Sequence, residues 1–191
     1  GLNGYLPDQG DAVAGAIVPM TADLDYRDAT TDNAAPVGVN DTIPVTEDTP
    51  VTQNVLGNDT DPDSDPLTIA SSTIDTNGSG TPDPLTLGTP TPITDNLGNP
   101  IGTITVAANG AVTFAPALNY TGPVPVLTYT PNDGTVNGTP ATVTFGPITP
   151  VNDVPVARND AESTDENTAF SDSVLVDNGN GADSDADGDT L

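Results

Sequence analysis

The chain has 191 residues, a formal net charge of −26, and only two basic residues, Arg27 and Arg158; it contains no Lys, His, Cys or Trp. A surface of this sign repels phosphate backbones and anionic lipid, which argues against nucleic-acid binding and against a membrane partner. Without His, Cys or Lys the usual general bases and activated nucleophiles are missing, so the chain reads as non-catalytic.

The acid is unevenly chosen. Of 28 acidic residues three are glutamates, Glu47, Glu162 and Glu166, and the rest are aspartates. Aspartate favours turns and caps over helix interiors, so the charge belongs in loops. Self-repulsion on this scale opposes compaction unless cations neutralise it. With no Cys, neither a disulfide nor a thiolate zinc site can staple the fold. Gly and Pro make up roughly a fifth of the chain and fall between short Val/Ile/Thr-rich runs, the pattern of an all-β protein with many turns. No segment shows helical periodicity over ten residues. The longest small-apolar stretch, Ala12 to Met20, is too short to span a bilayer and is broken by Gly15 and Pro19. The chain opens on Gly1, as a processed form or an excised fragment would.

Residues 1–33 form an N-terminal segment of their own. Within it Val13 to Val18 reads as a strand, either the last strand of a preceding module or a strand donated to a neighbour's sheet edge. Residues 34–150 have the length and strand content of one β-sandwich domain. Its expected strands begin with Val51 to Leu56 and Leu67 to Ile74, with Leu67 and Ile69 on one face. The Pro-rich stretch Thr81 to Pro100 holds two short edge strands. Gly102 to Ala107 and Ala111 to Phe114 flank Asn109-Gly110, a strong hairpin signal. Val124 to Thr130 follows, with Leu127 and Tyr129 on one face and Tyr129 in the core; Pro125 marks that strand as an edge. Ala141 to Phe145 closes the domain. Tyr120 is expected to tie a loop to the sandwich, as in a tyrosine corner; the other reading of it is a sugar-stacking ring. Five N-x-S/T sequons occur, at Asn40, Asn58, Asn77, Asn119 and Asn137; in so Asn- and Thr-rich a chain chance explains most of them, and they matter only if the source glycosylates asparagine.

Residues 151–191 are a linker and the start of a second copy. Pro36-Val37, Asn40-Asp41, Glu47, Thr49 and Val55-Leu56 recur 119 positions later as Pro155-Val156, Asn159-Asp160, Glu166, Thr168 and Val174-Leu175. After a five-residue insertion, Asp59, Asp61, Asp63, Asp65 and Leu67 recur as Asp183, Asp185, Asp187, Asp189 and Leu191. In a flat strand the four alternate carboxylates would stand about 6.6 Å apart, too far for one ion. If the segment curls, several oxygens can converge on a Ca²⁺ at about 2.3–2.6 Å. Mg²⁺ suits such a cage less well because it keeps its waters. An EF-hand is disfavoured: Ser64 stands at the glycine position, Ala70 where a bidentate Glu belongs, and strands flank the motif. The bland alternative is a solvated acidic loop. Glu47-Asp48 and Asp165-Glu166 form a second acidic group before the second strand of each copy. Asn152 and Asp153 lie at the junction, where they and an acidic loop could clamp ions between neighbours.

The run Val112-Thr113-Phe114-Ala115-Pro116, Asn119-Tyr120-Thr121-Gly122, Leu127-Thr128-Tyr129 and Asn132-Asp133-Gly134 carries a resemblance. So do Thr142 to Phe145 leading into Pro150-Val151-Asn152-Asp153-Val154-Pro155, and Glu47 to Pro50 with Asn54 to Asp59. In these motifs the chain resembles bacterial cadherin-like, tandem Ig-like repeats of large secreted adhesins, over about residues 33–191. The resemblance implies an antiparallel Ig/cadherin-like β-sandwich, an extracellular location, calcium at linkers, and roles in adhesion, biofilm or surface layers. Three functional readings follow. The chain is a calcium-stabilised structural or adhesive repeat whose partners are neighbouring repeats and a cell-surface ligand. Alternatively it is a homo-oligomeric filament or surface-layer subunit joined by strand complementation. The third reading, a glycan-binding module, has little aromatic surface to work with, since 4% of residues are aromatic.

Overall fold

The computed structural model describes residues 33–176 and 181–190. The chain separates into compact units at Ala34, and all strands below belong to the unit Ala35–Leu191. The strand expected at Val13 to Val18 lies outside the described residues.

The strands are β1 (Asp41–Ile43), β2 (Val51–Asn54), β3 (Thr68–Ile74), β4 (Asp83–Pro84), β5 (Thr91–Thr94), β6 (Pro100–Val106), β7 (Ala111–Pro116), β8 (Leu127–Asn132) and β9 (Ala141–Phe145). They form a five-stranded sheet in the order β1-β9-β8-β3-β4 and a four-stranded sheet in the order β2-β7-β6-β5. The pairings are antiparallel except β1 with β9, which run parallel. The molecule is an all-β sandwich. No helix among the described residues is long and apolar enough to cross a membrane.

Alternation explains the core. Leu127 and Tyr129 of β8, Ala141, Val143 and Phe145 of β9, Ile104 and Val106 of β6, and Val112 and Phe114 of β7 are buried, each separated by a less buried residue. Period-two patterning sends one face of each sheet inward, where the two faces interdigitate. Phe114 and Phe145 meet across the sheets with ring centroids 5.1 Å apart at 44°, an arrangement favourable for aromatic quadrupoles. Burial of each such side chain contributes about 1.5–3 kcal/mol. The β6–β7 hairpin turns at Asn109-Gly110, with Gly110 at φ 90°. Gly102 faces the core, and a Cβ there would lie 2.5 Å from the Ala115 carbonyl oxygen and 2.8 Å from the Phe114 ring.

Three elements differ from the sequence reading. The β3 ladder slips between Ile69 and Ser71, a β-bulge, so Ser72 and Ile74 turn inward beyond it. Val124 to Val126 lie outside β8, which starts at Leu127 and sits between β9 and β3 at the middle of its sheet. Pro125 therefore precedes the strand, takes no N–H from the ladder, and does not mark an edge. Strand β1 was not anticipated: three residues pairing in parallel carry too short a pattern to read. The two short strands expected between Thr81 and Pro100 do occur, each at a sheet edge. The Tyr120 hydroxyl donates to the Pro123 carbonyl at 2.7 Å, tying its loop back on itself.

Aspartates organise the turns. In the β5–β6 turn, Asp95 Oδ1 accepts the N–H groups of Leu97 and Asn99, both at 2.8 Å, while Oδ2 accepts Asn99 Nδ2 at 2.8 Å. The Asn99 side chain and then these backbone N–H groups hold the Asp95 carboxyl below its usual range. A carboxylate depressed in the folded state contributes stability above its unfolded pKa, near 4, and loses it as pH falls through the lower folded value. Acid titration of melting temperature should therefore show a loss below about pH 4 that is smaller in Asp95→Asn. Gly102→Ala should lower stability by about 1–3 kcal/mol through overpacking against Ala115 and Phe114, read from a thermal or urea melt.

Candidate metal centre

Parallel pairing of the first strand with the last decides where the acids sit. Val37 bridges Thr139 where β9 begins, Asp41 to Ile43 pair with Val143 to Phe145, and Thr46 bridges Thr149 beyond the end of β9. The stretch from Val37 to Glu47 thus runs alongside the chain's exit route. Val37 also bridges Thr60, so the loop Asp59 to Asp65 lies at the incoming end of the sandwich. Glu47 lies at the outgoing end: its N–H donates to Thr149 O at 2.9 Å, and its Oε2 accepts the Val151 N–H at 2.9 Å.

At the outgoing end Glu47, Asp153 and Asp187 each place a carboxylate oxygen within 4.8 Å of the others. Oxygens on one Ca²⁺ at 2.3–2.6 Å can lie up to about 5 Å apart, so the three fit a single coordination sphere. Glu47 is 2% exposed. The Asp153 N–H donates to Asp187 Oδ2 at 2.6 Å, which ties the loop from Asp183 to Asp189 to the chain where it leaves the sandwich. Asp153 Oδ2 is sealed from solvent with no hydrogen-bond partner. Burial first, and then the charges of Asp187, Asp48, Glu47 and Asp185, push the Asp153 carboxyl above its usual range. A sealed anionic oxygen among like charges is costly unless a cation meets it. The donor set, carboxylates without imidazole or thiolate, suits a hard cation with oxygen ligands.

The two acidic loops share one local structure. Asp59 Oδ1 accepts the Val39 N–H and Asp183 Oδ1 accepts the Arg158 N–H, both at 2.7 Å. Asp61 Oδ1 accepts the N–H groups of Asp63 and Asp65 at 2.9 and 3.1 Å; Asp185 Oδ1 accepts those of Asp187 and Asp189 at 2.9 and 3.2 Å. Ser64 at φ 68° and Gly188 at φ 78° make the same left-handed bend. The loops curl, but around their own backbone: the first two aspartates of each anchor it, and the third of the second loop, Asp187, reaches the three-carboxylate cluster. Asp61 Oδ2 is sealed without a partner, as Asp153 Oδ2 is. Asp59, Asp61 and Asp65 line an open groove of about 340 Å³ with Asn54, Ser64 and Asn109.

The remaining candidates lie elsewhere. Asp48 adopts φ 56° and its Oδ1 accepts the Asn119 N–H at 2.9 Å. Asn152 turns its Nδ2 to the Asp153 carbonyl at 2.8 Å. Asp165 and Glu166 are exposed and are not part of the cluster; Asp165 lines an open groove with Thr168 and Phe170. In backbone conformation the counterpart of Asp48 is Asn167, at φ 60°. The sequence reading missed Tyr129 and Asp41. The Tyr129 hydroxyl lies 3.0 Å from both Asp59 oxygens and 3.3 Å from Asp41 Oδ2, across about 70 and 90 residues of chain that give no local signal. Burial first, then Asp59 and Asp41, push the Tyr129 phenol far up.

A family described as bacterial cadherin-like domain matches residues 33–150, more than half of the chain. No curated protein matches it. The matched span covers all nine strands of the sandwich and Glu47, and ends three residues before Asp153. Modules of this family are typically non-enzymatic repeats with structural or adhesive roles, and they generally bind Ca²⁺. On the matched span, the two-sheet architecture and the ordered motifs together, the chain belongs to the bacterial cadherin-like domain family.

Proposed function

We propose that this chain is a calcium-stiffened repeat of a secreted or surface-displayed structural or adhesive protein. A cation at the outgoing end of the sandwich clamps it to the acidic loop that opens the next copy. One observation carries this reading: Glu47, Asp153 and Asp187 each bring a carboxylate oxygen within 4.8 Å of the others, and one oxygen of Asp153 is sealed without a partner. An ion whose ligands come from two bodies fixes their relative orientation, which is what a spacer under tension requires. The same acidic loop at the incoming end, Asp59 to Asp65, gives the module matching ends for repetition in series.

A second reading rests on a different observation. Phe170, Val174 and Leu175 are 49%, 68% and 46% exposed. Their counterparts one period earlier are Val51 and Leu56, packed against the core, and Val55, fully buried within it. These exposed apolar side chains suit strand complementation by another chain, the basis of a filament or surface layer. Sedimentation over a concentration series separates the two: a monomer at all concentrations favours the spacer, and growing species favour assembly.

Calcium at a hundredfold excess over its dissociation constant should raise stability by about 2.7 kcal/mol per site, lost again with chelator. Small-angle scattering should show the acidic loop docked in calcium and loosened without it. Unchanged melting and scattering would leave the aspartates as solvated loops and sink the calcium reading. Asp153→Asn should cross over. In chelator it should melt higher than the parent, because a like charge is gone. In calcium it should melt lower, because a ligand is gone. Parallel melts of the two proteins in both buffers read this directly.

A further inference from the structure

We propose that the ladder joining the first and last strands of the sandwich is a shear clamp, the element that resists tension applied along the chain. The inference deepens the repeat reading above, on which its purpose rests, but it needs no cation. Tension on a repeat in series enters at one end of the sandwich and leaves at the other. Strand β1 is the first strand on that route and β9 the last, and they pair in parallel. Pulling the entering chain back and the leaving chain forward therefore slides β1 along β9 instead of lifting it away. Had the two run antiparallel, the same pull would unzip them.

The ladder extends well past the paired residues Asp41 to Ile43. Before them, the Thr139 N–H donates to Pro36 O at 3.0 Å. Beyond them, the Gly146 N–H donates to Ile43 O, the Thr149 N–H to Val45 O and the Glu47 N–H to Thr149 O, each at 2.9 Å. Two side chains add bonds in the same register. Asn40 Oδ1 accepts the Thr142 N–H and Glu47 Oε2 accepts the Val151 N–H, both at 2.9 Å and across 102 and 104 positions. The two stretches thus march in step from Pro36 to Glu47. Bonds in a parallel ladder are evenly spaced, so sliding stretches them together, whereas peeling loads only the one at the end. Ile43, Val45, Val143 and Phe145 are buried beneath the ladder, so sliding also drags apolar side chains out of the core. Strands β2 to β8 lie between the two halves of the clamp in sequence and feel no tension until it fails.

Forced rupture is governed by the unfolding rate, so single-molecule pulling reads the clamp directly. The chain has no native Cys, and introduced pairs define the points of attachment. In chelator, the full chain pulled by its two ends is compared with a chain pulled through Val39→Cys and Pro140→Cys. Both residues are exposed and stand at the starting end of the ladder, so this second pull strips β1 off bond by bond. The end-to-end pull should need a few-fold higher force at equal loading rate. It should free the chain from Val37 to Thr149, up to about 400 Å when extended, in one step. Gly146→Pro deletes the donor to Ile43 O, and a Cβ there meets only Ile43 O at 3.6 Å and Pro44 Cα at 3.8 Å. It should lower the end-to-end force while the stripping force, set by the bonds near Thr139, stays. Equal forces in the two directions, or end-to-end traces in which a short segment leaves first at low force, would overturn the clamp without any variant of the ladder. A clamp present in chelator, with traces that calcium does not change, would count against the cation reading alone and leave this inference standing.

Discussion

Repulsion between carboxylates is the constraint on which the rest of this molecule turns. The chain carries a net charge of −26, and the fold brings carboxylates together at both ends of the sandwich: Asp59, Asp61 and Asp65 line a groove at one, and Glu47, Asp153 and Asp187 converge at the other. The apolar middle is ordinary: two inward faces, one aromatic contact across them, and branched side chains in alternation. It stabilises the body without touching the charge problem. The ends hold that problem in a structured form, because backbone N–H groups anchor the first carboxylates of each loop. Local hydrogen bonds can satisfy an oxygen that faces the loop's own backbone. They cannot reach Asp61 Oδ2 or Asp153 Oδ2, which are shut away from water as well.

The parallel pairing of β1 with β9 converts this charge into a directional device. A purely antiparallel sandwich would return the first strand against the last. Here the two run the same way, so residues that follow β1 arrive beside residues that follow β9. Glu47 and Asp153, separated by more than a hundred positions, become neighbours for that reason. The chain leaves the sandwich past a carboxylate pair and curls into a loop whose third aspartate completes the group. Short hydrogen bonds place these oxygens: the Asp153 N–H donates to Asp187 Oδ2 at 2.6 Å and the Val151 N–H to Glu47 Oε2 at 2.9 Å.

Much of this was legible in the sequence. Alternation in Ala141 to Phe145 and in Leu127-Thr128-Tyr129 gave the strands, Asn109-Gly110 gave the hairpin, and the recurrence of Asp59 to Asp65 as Asp183 to Asp189 gave two loops that adopt one conformation. Local chemistry suffices for these, because side-chain period, turn residues and Asx hydrogen bonds act over a few positions. The bulge after Ile69 and the central place of β8 were not legible. A bulge shifts the inward phase without changing composition, and Pro125 lies outside β8, which starts at Leu127.

The sequence by itself determined that this is an all-β chain with most of its described acid outside the strands, with motifs that recur about 120 residues apart, and without His, Cys or Lys. Each of these follows from residue type and short spacing. Which carboxylates meet was decided only by the tertiary structure. Asp59 to Asp65 looked like one site because they are close in sequence. Yet Asp61 turns to its own backbone, Asp59 is held by a hydroxyl from a core strand, and the three-carboxylate cluster forms between Glu47, Asp153 and Asp187. Convergence in space depends on strand pairing between distant segments, and no local pattern encodes which strands will pair.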